Sequence, residues 1–263
     1  MFNLFTKTLY DKRAFIIGWS LGLMAVGCLM MLFYPAFHQD NGIDELVKSL
    51  PTAFQGLVGD LGNLKQLSTY IGSQLFDVRI PILVSILSII LAVGLTVGEE
   101  EKGQLRTLVG LPLSRAHILF SKWLAIVTIC LFTTIATVIG IEIGLVVINE
   151  TLDWMVILRL AVMMWLLSVA LATVIFGIGL ATGKRGLTMG LAVATTIGSF
   201  ILTTFARSVE WLQPYEHASI FHYFPAATIA KSEIDLVDVL VYIVIIIVFL
   251  TVGIIGFRRR DVR

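Results

Sequence analysis

The chain has 263 residues, of which 57% are hydrophobic and only 14% charged, with a mean hydropathy of +0.93 and a net charge of +1. Water-soluble domains carry about 25% charged residues, so this composition excludes an ordinary globular enzyme and points to lipid as the solvent. The near-zero charge gives no basis for nucleic-acid binding. Cys28 and Cys130 both lie inside apolar runs, where they read as packing residues rather than a disulfide or metal pair.

The first dozen residues place Phe2, Phe5 and Leu9 on one helical face and Lys7, Asp11 and Lys12 on others. That pattern predicts a basic amphipathic helix lying flat on a membrane surface. Six stretches then reach the length of about 20 apolar residues needed to span a bilayer: 14–34, 80–97, 123–148, 160–181, 187–205 and 237–257. The first is too long for a cleavable signal and lacks a small-residue cleavage site after it. The fourth and fifth are separated only by Thr182-Gly183-Lys184-Arg185-Gly186, which predicts a tight helical hairpin.

An even number of spans puts both termini on one side. Lys7, Lys12, Arg13, Lys102, Arg106, Arg115, Lys122, Lys184, Arg185 and the arginines 258, 259, 260 and 263 fall on that side, thirteen against six on the other. The positive-inside rule therefore predicts cytoplasmic termini in a multi-pass plasma-membrane protein. On the outer side, Phe54, Leu57, Val58 and Leu61 recur at helical spacing after Pro51, and Tyr70, Ile71, Leu75 and Phe76 form a second amphipathic set. Both predict short helices lying at the outer interface. Trp211, Tyr215, Phe221, Tyr223 and Phe224 read as a headgroup-level aromatic belt.

Between the second and third spans lies a charged island, Glu99-Glu100-Glu101-Lys102-Gly103-Gln104-Leu105-Arg106, running on to Leu111-Pro112-Leu113-Ser114-Arg115. Each charge costs roughly 2.5–3.5 kcal/mol at the centre of a bilayer, so the island belongs at the cytoplasmic surface. Leu105, Leu108 and Val109 fall at i, i+3 and i+4, giving a short helix one apolar face. The three glutamates sit at its start, where the helix dipole favours them. Gly110 and Pro112 end it, and Ser114 is placed to cap the next helix. A capped, solvated loop and a docking element for a partner both satisfy this pattern.

The island, with Lys122 at the start of the third span, resembles the hallmark of the ABC-2 type transporter permeases. Glu99, Gly103, Leu105, Leu108, Val109, Pro112, Ser114, Arg115 and Lys122 match that family's pattern in register, while Gln104 stands where a threonine is common. Leu9-Tyr10-Asp11-Lys12-Arg13 resembles its N-terminal connecting helix, Phe221-His222-Tyr223-Phe224-Pro225 its aromatic stretch before the last span, and Arg258-Arg259-Arg260-Asp261-Val262 its ending. Leu50-Pro51 and Gly18-Trp19-Ser20-Leu21-Gly22 are more similar to a subgroup described as polyketide-antibiotic exporters.

The resemblance implies an all-α polytopic membrane protein over residues 1–263, with six transmembrane helices, a connecting helix and a cytoplasmic coupling helix between spans 2 and 3. It implies a permease subunit of an ATP-binding cassette transporter, exporting an amphipathic or hydrophobic compound by ATP-driven alternating access. The partners would be a separate ATPase subunit carrying ATP and Mg, and a second permease copy or paralogue. Glu99, Glu100, Glu101, Gly103, Gln104, Leu105, Leu108, Val109, Pro112, Ser114 and Arg115 would form the ATPase-coupling interface, with apolar side chains filling a cleft and charged ones orienting its rim.

No cofactor site is expected on the chain itself. The nearest approach to a phosphate-binding loop, Gly177 to Arg185, has Ile178 in place of its first glycine and Arg185 in place of the Ser or Thr that binds magnesium. His38, His117, His217 and His222 lack metal-ligand spacing, and His117 falls in the first turn of the third helix. Glu142 is the one acidic residue well inside a span, roughly 30 Å along its helix from Lys122. It would need a partner such as Arg159 or Arg207, as a structural pair or as part of a transport path. Gly18/Gly22, Gly94/Gly98, Gly140/Gly144, Gly179/Gly183 and Gly186/Gly190 permit close helix packing, within the chain or at a dimer seam. An ion-coupled carrier would want more intramembrane ionisable groups than Glu142. A non-transporting sensor or immunity subunit on the same scaffold is a further alternative.

Overall fold

A computed structural model describes residues 2–39, 66–104, 114–206 and 209–260. The described residues are helical, with no strands, and six helices are long and apolar enough to cross a membrane. A short helix α1 (Phe2–Asp11) leads into α2 (Arg13–Gln39). There follow α3 (Leu67–Glu101), α4 (Arg115–Ile148), α5 (Trp154–Thr182), α6 (Arg185–Ala206) and α7 (Leu236–Arg259). The protein is an all-α polytopic membrane protein.

Local chemistry sets the helix ends. Ser114, Asp153 and Asp235 each stand in a non-helical conformation before a helix and accept a hydrogen bond from a backbone N–H of its first turn: His117 at 3.2 Å, Met155 at 3.0 Å and Val237 at 2.9 Å. The expected cap by Ser114 and the place of His117 in the first turn are both present. Gly183 ends α5 in the left-handed conformation (φ 60°), and α6 begins two residues later, giving the hairpin the sequence predicted.

The central helix is α5, which packs against α3, α4, α6 and α7, whereas α2, α6 and α7 each keep a broad apolar face turned outward. Since lipid is as apolar as leucine, helix association rests on close packing and hydrogen bonds rather than on a hydrophobic drive. Both are visible. On α4, a Cβ at Gly140 would overlap the Met24 backbone of α2, and on α5 one at Gly177 would overlap Phe249 of α7. Ser88 donates to the Ser168 carbonyl (3.2 Å), Trp123 to Thr173 Oγ1 (2.9 Å) and Trp165 to the Val127 carbonyl (3.2 Å), tying α3 and α4 to α5. Gly140 and Gly144 thus serve packing within the chain, while Gly18, Gly22, Gly186 and Gly190 face open space.

Two expectations for the end of the bundle opposite the island are corrected. Tyr70, Ile71, Leu75 and Phe76 do not lie on an interface; they are buried in an inward extension of the second span. Residues Ile71–Arg79 run as a π-helix that ends two residues before Pro81, which has no N–H to donate to the i→i−4 ladder. Gly72 lets this segment approach the short helix Ala226–Ile229, where a Cβ would meet the Ala226 carbonyl at 2.9 Å. Nor do the aromatics form a uniform belt. Trp211 and Tyr215 are exposed as expected, but Phe224 is buried against Phe76 (6.3 Å between rings) and Phe221 against Phe200 (6.1 Å). Tyr242 of α7 holds the same segment by donating to the Ile220 carbonyl at 3.0 Å. The set built on Phe54, Leu57, Val58 and Leu61 lies outside the described residues.

Candidate functional site

The island begins where α3 bends. Its ladder breaks at Thr96 (φ −113°, ψ −99°), whose hydroxyl donates back to the Ala92 carbonyl at 2.7 Å. The backbone N–H groups of Glu99 and Glu100 then both reach the Thr96 carbonyl at 3.1 Å, starting the short turn Val97–Glu101. The bend is accommodated by α5: a Cβ at Gly179 would lie 2.5 Å from the Thr96 hydroxyl. Gly103, in the left-handed region at φ 70°, ends the turn by donating to the Glu100 carbonyl at 2.9 Å.

Successive residues on a helical turn point about 100° apart, and the three glutamates use that fan. Glu99 pairs with Lys122 of α4, Glu100 with Arg260 just past α7, and Glu101 with Arg185 at the start of α6 at 2.9 Å. One turn of helix at the end of the second span is therefore bound by charge to three other spans. Burial grades the pairs. Lys122 is 1% exposed and Glu99 16%, whereas Arg185 and Glu101 are each half exposed. Lys122 also donates to the Leu95 carbonyl at 3.2 Å, so its ammonium straddles the bend itself.

Arg115 adds a second tie to the same corner. It donates to the carbonyls of Phe257 and Arg260, both at 3.1 Å, with its guanidinium 5.5 Å from the Phe257 ring. The last turn of α7 presents just such unsatisfied carbonyls, and a cation there also complements the helix dipole. Where charged rim groups turned toward a partner were expected, Glu99, Glu100 and Arg115 face inward and Glu101 reaches sideways. Gln104 is exposed. Leu105, Leu108, Val109 and Pro112 lie outside the described residues.

The intramembrane charges are not joined. Arg159 donates to the Ser232 carbonyl rather than to Glu142, Arg207 is outside the described residues, and half-buried Glu142 has no hydrogen-bonding or ionic partner among the described residues. Sequence reasoning counted Arg185 and Arg260 for topology and missed them as anchors. The available signal was three adjacent carboxylates facing isolated cations at the ends of distant spans.

A six-span bundle with this bent, ion-paired island agrees with the comparison against known families. ABC-2 family transporter protein matches residues 5–262. The chain belongs to the ABC-2 transporter family. None of the curated proteins compared with it matches. As an ABC-2 chain it is a permease subunit of an ABC transporter, a membrane transport component rather than a catalyst. Its match extends from α1 to just past α7, so Glu99, Arg115, Lys122, Arg185 and Arg260 all fall within it.

Proposed function

We propose that this ABC-2 permease exports an amphipathic or hydrophobic compound, driven by a separate ATPase chain that engages the segment from Glu99 to Arg115 from the cytoplasm. The observation that carries the reading is the fan of glutamates. A push on the island reaches α4, α6 and α7 through Glu99–Lys122, Glu101–Arg185 and Glu100–Arg260. In this reading Leu105, Leu108 and Val109 enter the ATPase cleft, Gly103, Gln104 and Pro112 shape the approach, and the charged residues fix the island to the bundle. Both termini share the cytoplasmic side with it, by the bias of Lys and Arg.

For the cargo, an apolar groove of about 370 Å³ runs between α3 and α6, lined by Ile82, Ile86, Ile89, Val193, Ile197 and Phe200 with only the hydroxyls of Ser85 and Thr196 beside them. Its size falls in the range of small-molecule sites, and its lining suits a hydrophobic compound, such as an antibiotic, drug or lipid-like molecule. A second permease copy would pack on the outward faces of α2 and α6, where Gly18, Gly22, Gly186 and Gly190 have open space above them. ATP and Mg act on the partner ATPase. Glu142 is the one candidate pathway charge in this scheme, while Arg159 holds the Ser232 loop.

Reconstitution with the cognate ATPase in vesicles tests the reading. Glu100→Gln and Leu108→Asp should leave ATP hydrolysis by the ATPase running while ATP-dependent export falls at least tenfold. Export unchanged in both variants, or absence of any ATPase from the purified complex, overturns it.

A further inference from the structure

The same corner of the molecule holds a cavity, lined by charged groups, that reaches beyond the Glu99–Lys122 pair to α1. It has a volume of about 190 Å³ and lies between α1, the bend of α3 and the start of α4, with Lys7, Asp11, Lys12, Glu99, Gln104 and Lys122 among its lining groups. Three lysines thus face two carboxylates, and one carboxylate, Glu99, is already taken by Lys122. Neither Lys7 nor Lys12 has an ion-pair partner among the described residues.

All three lysines line the space. Lys12 sits at the break between α1 and α2, half buried, and its Nζ lies 3.4 Å from where a Cβ on Gly94 would stand, so the ammonium is tucked over the end of α3. Lys122, which is 1% exposed, donates to Leu95 and Glu99 and has a third N–H left. The like charges of Lys12 and Lys122 repel one another across the cavity. An anion between them would relieve that repulsion and accept charge-assisted hydrogen bonds. Leu4 of α1 and Leu95 of α3 give the wall apolar patches beside the charged groups.

We infer that this cavity binds a phosphate group, supplied by the headgroup of an anionic phospholipid, held by Lys7, Lys12 and Lys122. Binding is measured without an ATPase chain, so its outcome is independent of the coupling reading. If that reading also holds, an anion on Lys122 competes with Glu99 and loosens the island's tightest anchor.

The experiment uses the full chain in detergent, with dioctanoyl phosphatidylglycerol as probe and dioctanoyl phosphatidylcholine and inorganic phosphate as comparators, followed by thermophoresis. A basic residue near an anionic membrane surface counts for about a fivefold change in affinity, so Lys7→Gln/Lys12→Gln should weaken phosphatidylglycerol binding about 25-fold. Arg258→Gln/Arg259→Gln removes equal charge from exposed positions on the same side and should change it less than twofold. Displacement of the probe by millimolar inorganic phosphate, with the same dependence on the lysines, supports the site and makes free phosphate its source. Should the double lysine variant lose its melting transition, Lys12→Arg is expected to retain affinity within twofold while Lys12→Gln loses about fivefold. Equal binding of the two lipids, or an equal loss in the lysine and arginine variants, overturns the proposal.

Discussion

Removing the Glu99 carboxylate should be the most damaging single change in the island. Its partner Lys122 is almost fully enclosed, and Glu99 itself is 16% exposed. Breaking a buried pair by deleting one partner costs about 3–5 kcal/mol, because the remaining charge is left without compensation. Here the Leu95 carbonyl stays bonded to Lys122 at 3.2 Å, which holds Glu99→Ala to the lower part of that range, about 3 kcal/mol. Lys122→Met alone leaves a carboxylate that can reach water, so it should cost less. With both groups removed, Glu99→Ala/Lys122→Met leaves no uncompensated charge and should regain most of the loss. Reversible unfolding in mixed micelles, run as a double-mutant cycle, measures the coupling directly. The expected coupling is about 2 kcal/mol or more. A double variant that loses the sum of the two singles would refute the reasoning.

The exposed pair provides the contrast: Glu101→Gln should change stability by less than about 1 kcal/mol in the same assay, since pairs open to solvent contribute little. At the far end of the bundle, Phe224→Ala should cost about 3–5 kcal/mol by opening a cavity beside Phe76, again read by unfolding. Gly140→Val should abolish stable folding, because its side chain would occupy the Met24 backbone, whereas Gly18→Val meets nothing within the chain and should leave the melting of the isolated monomer unchanged. In vesicle export assays, Glu142→Gln should reduce export if that carboxylate lies on the path, and unchanged export removes it from the scheme.

The spans were readable because lipid imposes a length and a composition that each helix must satisfy alone. The cap at Ser114 and the turn at Gly183 were readable for a related reason: each is decided within four residues of chain. What escaped were features set by distant partners. Nothing near Tyr70 or Phe76 announces that Tyr34 of α2 will pack on the first and Phe224 on the second, and an amphipathic set looks alike whether it faces headgroups or protein. The island was legible as a polar bracket, but its charges were expected to orient a partner at the rim. Which cation a carboxylate meets depends on how span ends converge, and Arg260 stands 160 residues from Glu100. The bend at Thr96 is equally non-local, since it depends on a missing side chain at Gly179.

The central claim is that the island is where an ATPase drives this permease. A photo-crosslinking amino acid at position 108, in the full chain expressed in its own membranes, tests it most directly when the crosslinked product is sequenced by mass spectrometry. The account predicts one dominant product, an ATPase chain with a phosphate-binding loop, and no such product from the same probe at exposed Trp211 on the opposite side. Crosslinks from position 108 to lipid alone, or to a chain without that loop, would contradict it.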